Sequence, residues 1–168
     1  MAWCFGLAAE CGVSRREAQA LAGHFQGLSL RLSDGLEVDC EADLWSDETG
    51  NWWALVGPVG MSVGREIGEA TINDSVHTTE AGFLLYDRLR TAPFYRYALV
   101  GWEVDGFRMF RELGANELRD SGFAGIVLSK SVWEDIGRPT GFEIFAAGYV
   151  WKPYKGEIFN KLPEPAES

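Results

Sequence analysis

Alternation of apolar and polar residues over positions 28 to 44 restricts the fold of this chain more than any other feature of its sequence. Three leucines alternate with polar residues over positions 28 to 33, and five apolar residues alternate with four acidic ones over positions 36 to 44. A period of two is that of a β-strand with one buried face. The two runs therefore predict a β-hairpin that turns around Asp34-Gly35.

The length of the turn decides which residues of this hairpin face each other. A two-residue turn would place Leu32 opposite Glu37, so that apolar and acidic side chains would share a face. A three-residue turn over positions 33 to 35 places apolar residues opposite each other throughout, for example Leu30 opposite Val38. It also leaves Gly35 in the left-handed position that glycine adopts most easily. We therefore predict the three-residue turn.

Patterns elsewhere predict both helices and strands, with no regular βαβ alternation. The strongest covers Phe94 to Val104, where apolar residues on both faces predict a central strand covered on both sides. We predict the α+β class, a mainly antiparallel sheet with three to four helices, in one domain over 1–161 with a flexible tail over 162–168. The other predicted elements are a helix capped by Ser14 with Glu17 in its first turn, a strand over 52–56, a loop over 57–73, a helix capped by Thr78 or Thr79, a helical segment near Phe110, a strand over 124–128, a short helix over 132–136 and a strand or strand pair over 142–151.

The net charge of the chain argues against one large class of partners. Its 15 Lys and Arg face 25 Asp and Glu, which gives −10 at pH 7. Nucleic-acid-binding proteins gain most of their affinity by neutralising phosphates with basic side chains. We therefore expect no nucleic-acid partner and favour a basic protein or another cationic ligand.

The N-terminus and the cysteines indicate a compartment. No Lys or Arg precedes the first apolar stretch, which Glu10 interrupts, so we expect neither a signal peptide nor a membrane span. Cys4, Cys11 and Cys40 are odd in number and show no CxxC spacing, which is typical of free thiols in a reducing environment. We expect a cytoplasmic protein.

Most of the negative charge lies in one short stretch. Between positions 34 and 48 there are seven acidic residues and no Lys or Arg. Four of them are spaced by two and line one face of the second hairpin strand; we call them the acidic stripe, Glu37, Asp39, Glu41 and Asp43. The chosen register places Arg31 opposite Glu37, which offsets one charge.

Two interpretations of this stretch remain open. It is either a solvated strand face whose charges prevent edge-to-edge aggregation, or a docking surface for a basic partner with tryptophans as anchors. In the second interpretation the candidate binding residues are Glu37, Asp39, Glu41, Asp43, Trp45, Asp47, Glu48 and Trp52.

Catalytic and metal motifs are weak. Gly60-Met61-Ser62-Val63-Gly64 matches the GxSxG pattern of serine hydrolases, but the only histidines are His24 and His77 and neither is spaced as a triad base. Glu80 follows His77 at a spacing of three, but capping by Thr78 or Thr79 explains that pattern better than metal binding. Glu103 and Asp105 are typical of a solvent-exposed turn. We predict no catalytic, metal or cofactor site, and a small hydrolase using Ser62 is the alternative.

In size, charge and its aromatic-rich segment Ala92 to Asp105, the chain resembles the bacterial immunity proteins that neutralise polymorphic, contact-dependent or type VI secreted toxins. The resemblance implies a cytoplasmic protein that binds a cognate toxin and occludes its active site. It also implies that the acidic stripe faces a basic pocket of that toxin. An adaptor or regulatory domain without a toxin partner is the other binding function considered.

Overall fold

A computed structural model describes residues 5–60, 72–119 and 123–157 of the chain. Within these ranges eight strands form one antiparallel sheet in the order β2-β3-β4-β1-β5-β6-β8-β7, with four α-helices and one 3-10 helix around it. The predicted α+β class is confirmed, whereas the proposed tail over 162–168 lies outside the described residues. The strands are β1 (Phe5–Glu10), β2 (Ser29–Arg31), β3 (Glu37–Ser46), β4 (Trp52–Pro58), β5 (Tyr97–Trp102), β6 (Val127–Ser129), β7 (Glu143–Ala146) and β8 (Tyr149–Trp151), and the helices are α1 (Arg15–Phe25), α2 (Ile72–Leu89), α3 (Ala115–Arg119), α4 (Lys130–Asp135) and the 3-10 helix (Phe110–Glu112).

The hairpin of β2 and β3 has the predicted register. Leu30 lies opposite Val38, and the backbone N–H of Leu32 donates to the carbonyl oxygen of Leu36 at 2.8 Å. Gly35 has a φ of 91°, the left-handed conformation that the three-residue turn requires. Burial of the apolar face therefore selects the register.

The sheet separates two apolar cores. Helices α1 and α2 cover one face, where Phe25 and Leu85 are fully buried. The segment from Val104 to Leu118, together with α4, covers part of the other face around Trp53. Strand β5 contributes alternate residues to both cores, which confirms the prediction of a central strand covered on both sides. The strand is shorter than the predicted Phe94 to Val104, because it begins at Tyr97 and ends at Trp102.

Strand β1 was not predicted, although it lies at the centre of the sheet between β4 and β5. All six of its residues are buried, so its sequence shows no alternation of polar and apolar positions. Its last residue, Glu10, is 0% exposed and accepts a hydrogen bond from Arg96 Nε at 2.7 Å and another from the backbone N–H of Gly12 at 2.6 Å. A buried ion pair thus allows a carboxylate inside an otherwise apolar strand.

The predicted start of the second helix was wrong. Helix α2 begins at Ile72, so Thr78 and Thr79 lie inside it instead of capping it. Thr79 is used elsewhere, because its hydroxyl accepts a hydrogen bond from the backbone N–H of Glu157 at 2.8 Å and so ties the helix to the segment after β8. The predicted loop over 57–73 is shorter at both ends, and its positions 61–71 lie outside the described residues.

Candidate functional site

The acidic stripe is exposed along β3. Glu37, Asp39, Glu41 and Asp43 alternate with buried or half-buried apolar residues, as the sequence predicts. Within the described ranges, no ion pair joins any of these four carboxylates to a basic side chain. This includes Arg31, which lies opposite Glu37 as predicted but forms no ion pair with it.

The other three acids of the run are each engaged in the fold. Asp34 pairs with His77 on α2 at 2.8 Å, and Glu48 pairs with Arg111 at 3.2 Å. Asp47 is 6% exposed and accepts hydrogen bonds from the backbone N–H groups of Thr49 and Asn51. In this run, the four carboxylates of the acidic stripe are therefore the ones that have no hydrogen-bond or ion-pair partner in the described chain.

Asp47 holds the turn between β3 and β4. Its Oδ2 accepts a hydrogen bond from the indole Nε1 of Trp53 at 2.9 Å. Although burial favours the protonated form, the hydrogen bonds from Thr49 and Trp53 hold the pKa of Asp47 below its ordinary value. Asp47 is thus a charged structural residue, and its carboxylate is directed into the fold.

Trp45 continues the stripe at one end. Its side chain is 40% exposed, and its ring lies 6.1 Å from that of the buried Trp53 on the neighbouring strand. A Cβ added to Gly106, in the loop that follows β5, would lie 2.7 Å from the Trp45 ring, so the edge of the ring packs against this loop. Trp45 therefore presents a fixed aromatic surface beside Asp43.

Trp52 does not lie near the stripe. It is half-buried, packs against the core under α1, and has the Arg15 guanidinium 5.4 Å from its ring centroid. Because Trp52 lies opposite Ser46 in the sheet, it shares a face with Ser46 and not with Trp45. The structure brings Trp45 to the acidic stripe and places Trp52 on the opposite side of the sheet.

A groove of about 470 Å³ runs beside the stripe on the same face. Glu41 and Asp43 line one side, and Glu103 and Asp105 line the side formed by the loop after β5. The sequence identifies Glu103 and Asp105 only as turn residues, because their proximity to β3 depends on the order of the strands in the sheet. Among the described residues, the groove is lined by no Lys, Arg or His.

The histidines and cysteines have structural environments. His77 pairs with Asp34, and His24 Nε2 lies 2.9 Å from the carbonyl oxygen of Arg88. Burial raises the pKa of Cys11 to about 12 and that of Cys40 to about 11, so both thiols are weak nucleophiles at neutral pH. In the part of the chain that is described, no three His, Cys, Asp or Glu side chains could hold a metal ion together. Ser62 lies outside that part.

Comparison with family models, with curated proteins and with solved structures found no significant match. Over the described residues, none of the helices combines the length and the apolar character needed to cross a membrane.

Proposed function

We propose that this chain is a protein-binding domain that recognises a basic partner through the acidic stripe and Trp45. The observation that carries the proposal is the set of four exposed carboxylates without an ion pair in the described chain, beside a half-exposed tryptophan. Tryptophan is enriched at protein–protein interfaces and is among the residues that contribute most to their binding energy.

Electrostatic repulsion within the stripe supports a binding role. Carboxylates two residues apart on one strand lie about 7 Å apart, so each neighbouring pair repels by about 0.6 kcal/mol in water before salt screening. A basic partner would remove this repulsion and would be attracted during diffusional encounter. A solvated face, by contrast, would retain the repulsion.

We further propose that the partner is a toxin and that the chain acts as its immunity protein. Enzymes that act on nucleic acids or other anionic substrates carry basic active-site clefts, because these bind the substrate's charge. An acidic strand face complements such a cleft and would exclude the substrate from it. The free thiols of Cys11 and Cys40 are compatible with a reducing compartment, and we propose that this is the cytoplasm.

Affinity capture from the native cell tests this function, when it is followed by expression of the captured partner or of the product of the neighbouring reading frame. We expect a basic protein that is toxic alone and harmless when co-expressed with this chain. A folded Glu41→Lys/Asp43→Lys variant should fail to protect. A harmless partner would contradict the toxin assignment, and full protection by the variant would contradict the stripe as the interface.

A further inference from the structure

Three glycines lie side by side on neighbouring strands in the middle of the sheet face that carries the acidic stripe. Gly6 on β1 pairs with Gly101 on β5, and a Cβ on Gly6 would lie 3.4 Å from the Cα of Gly57 on β4. Glu41 lies directly opposite Gly57 and ends the row. We call Gly6, Gly57 and Gly101 the glycine row. Gly6 and Gly57 form part of the floor of the 470 Å³ groove.

The glycines of the row differ in why they lack a side chain. A Cβ on Gly6 would collide with the carbonyl oxygen of Val56, so the backbone itself requires glycine there. Over Gly57 the nearest atom to an added Cβ would be the carbonyl oxygen of Phe5 at 3.8 Å, an ordinary van der Waals distance. Among the residues that the structure describes, packing therefore leaves room for a side chain over Gly57, and glycine within a strand often marks the close approach of a ligand or another backbone.

The walls of the groove define the chemistry of what fits. Its floor is backbone and apolar surface, including Leu55 and Val104, while carboxylates of Glu41, Asp43 and Asp105 stand at its rim. A side chain with an apolar stem and a cationic head matches both parts, since the stem covers the floor and the head reaches the carboxylates. Arginine matches best, because its planar guanidinium donates five hydrogen bonds and can contact carboxylates on both walls.

We infer that the groove over Gly6 and Gly57 receives an arginine side chain from an exposed loop of the basic partner. The inference rests on the proposed function and names the contact through which it operates. The acidic stripe continues past the groove to Glu37 and Asp39 at one end, and Trp45 lies at the other. A surface extending on both sides of the groove suits a protein loop better than a small free cation.

Titration of the 15N-labelled chain with a short peptide tests this contact. The probe is acetyl-glycyl-arginyl-glycine amide, and the matched control replaces arginine by citrulline, which keeps the shape and removes the charge. We expect saturable shifts of the Gly6, Gly57 and Val104 amides with the arginine peptide and at least tenfold weaker binding of the citrulline peptide. Equal binding of the two peptides, or no saturable shift at these amides, would overturn the inference.

Variants of the groove and a matched variant far from it test the same contact. Gly57→Leu fills the groove without changing charge and should weaken binding of the arginine peptide at least tenfold, whereas Asp135→Asn/Glu143→Gln, at exposed positions at the other end of the sheet, should change its binding less than twofold. If Gly57→Leu does not fold, Asp43→Asn/Asp105→Asn replaces it, with the same expected loss. A folded groove variant that binds the peptide as tightly as the parent chain would overturn the inference.

Gly57→Leu and a charge reversal in the part of the stripe outside the groove, both measured against the captured partner, separate this inference from the proposed function. If Glu37→Lys/Asp39→Lys weakens the complex while Gly57→Leu leaves it unchanged, the groove contact is wrong and the stripe still serves as the interface. If neither variant weakens the complex, the proposed interface fails and the groove contact fails with it. Loss of at least tenfold in affinity with Gly57→Leu supports the groove contact.

Discussion

The carboxylate of Asp47 accepts a hydrogen bond from the indole N–H of Trp53 at 2.9 Å, although Asp47 belongs to the same run of acids as the exposed stripe. Asp47→Ala removes this bond and those from Thr49 and Asn51, and should lower the free energy of unfolding by about 2 kcal/mol. Asp43→Ala removes the same charge from the stripe and should change stability by less than about 0.5 kcal/mol. Urea unfolding at pH 7 measures both, and equal losses would contradict the distinction between the two acids.

Acid should destabilise the fold through carboxylates that are bound in it. Hydrogen bonds hold the pKa of Asp47 below its ordinary value despite burial, and the backbone N–H of Leu36, followed by His77, does the same for the pKa of Asp34. Such a group contributes stability that is complete above its unfolded pKa, about 4, and is lost as pH falls through the folded value. The urea concentration at the midpoint of unfolding should therefore decrease as the pH is lowered below about 5, and the decrease should be smaller in Asp47→Asn. Asp43→Asn is the charge-matched control, and an identical pH profile for all three proteins would contradict the prediction.

Glu157 should have the opposite pH dependence. Burial raises the pKa of its carboxyl group, while the Tyr154 hydroxyl donates a hydrogen bond to it at 3.0 Å. Stability from a raised carboxyl pKa is present below the unfolded value of about 4.3 and is lost as pH rises through the folded value. Glu157→Gln should therefore raise the urea midpoint at pH 7 and leave it unchanged near pH 3. A lower midpoint at pH 7 would show that the charged form is favoured in the fold.

The ion pair between Glu10 and Arg96 should be essential to the centre of the sheet. Arg96→Met leaves the fully buried Glu10 without its partner and should cost about 3–5 kcal/mol of folding free energy. Glu10→Gln/Arg96→Met removes both charges and should recover part of that loss. Thermal unfolding of the two variants gives the comparison, and a double variant less stable than Arg96→Met would contradict it.

The sequence was sufficient to predict strand register and side-chain exposure where contacts are local and one face of a strand is buried. The register of the β2–β3 hairpin follows from the spacing of its leucines, and the exposure of Glu41 and Asp43 follows from the same alternation. Strand β1 was missed because a strand buried on both faces shows no alternation. The start of α2 was misplaced because Thr79 resembles a helix cap in sequence, whereas in the fold it binds the distant Glu157.

The groove depends on contacts between distant parts of the chain. About fifty residues of sequence separate each member of the glycine row from the next, namely Gly6 from Gly57 and Gly57 from Gly101. Only the order and register of β4, β1 and β5 bring them into one row. Likewise, a count of acids cannot separate Asp47 from Asp43, because the partner of Asp47 is a tryptophan side chain on the next strand. The run of acids in the sequence identifies the charged face of β3, whereas the register of the sheet is needed to define the shape of the groove beside it.

The association rate constant with the captured partner, measured against salt concentration, tests the central claim most directly. For the parent chain it should fall steeply as salt rises, and Glu41→Lys/Asp43→Lys should slow association at least tenfold at low salt and flatten the salt dependence. Asp135→Lys/Glu143→Lys makes the same change in net charge at exposed positions at the other end of the sheet and should have a much smaller effect. Equal rates for the parent chain and a folded stripe variant at every salt concentration would contradict the acidic stripe as the binding surface.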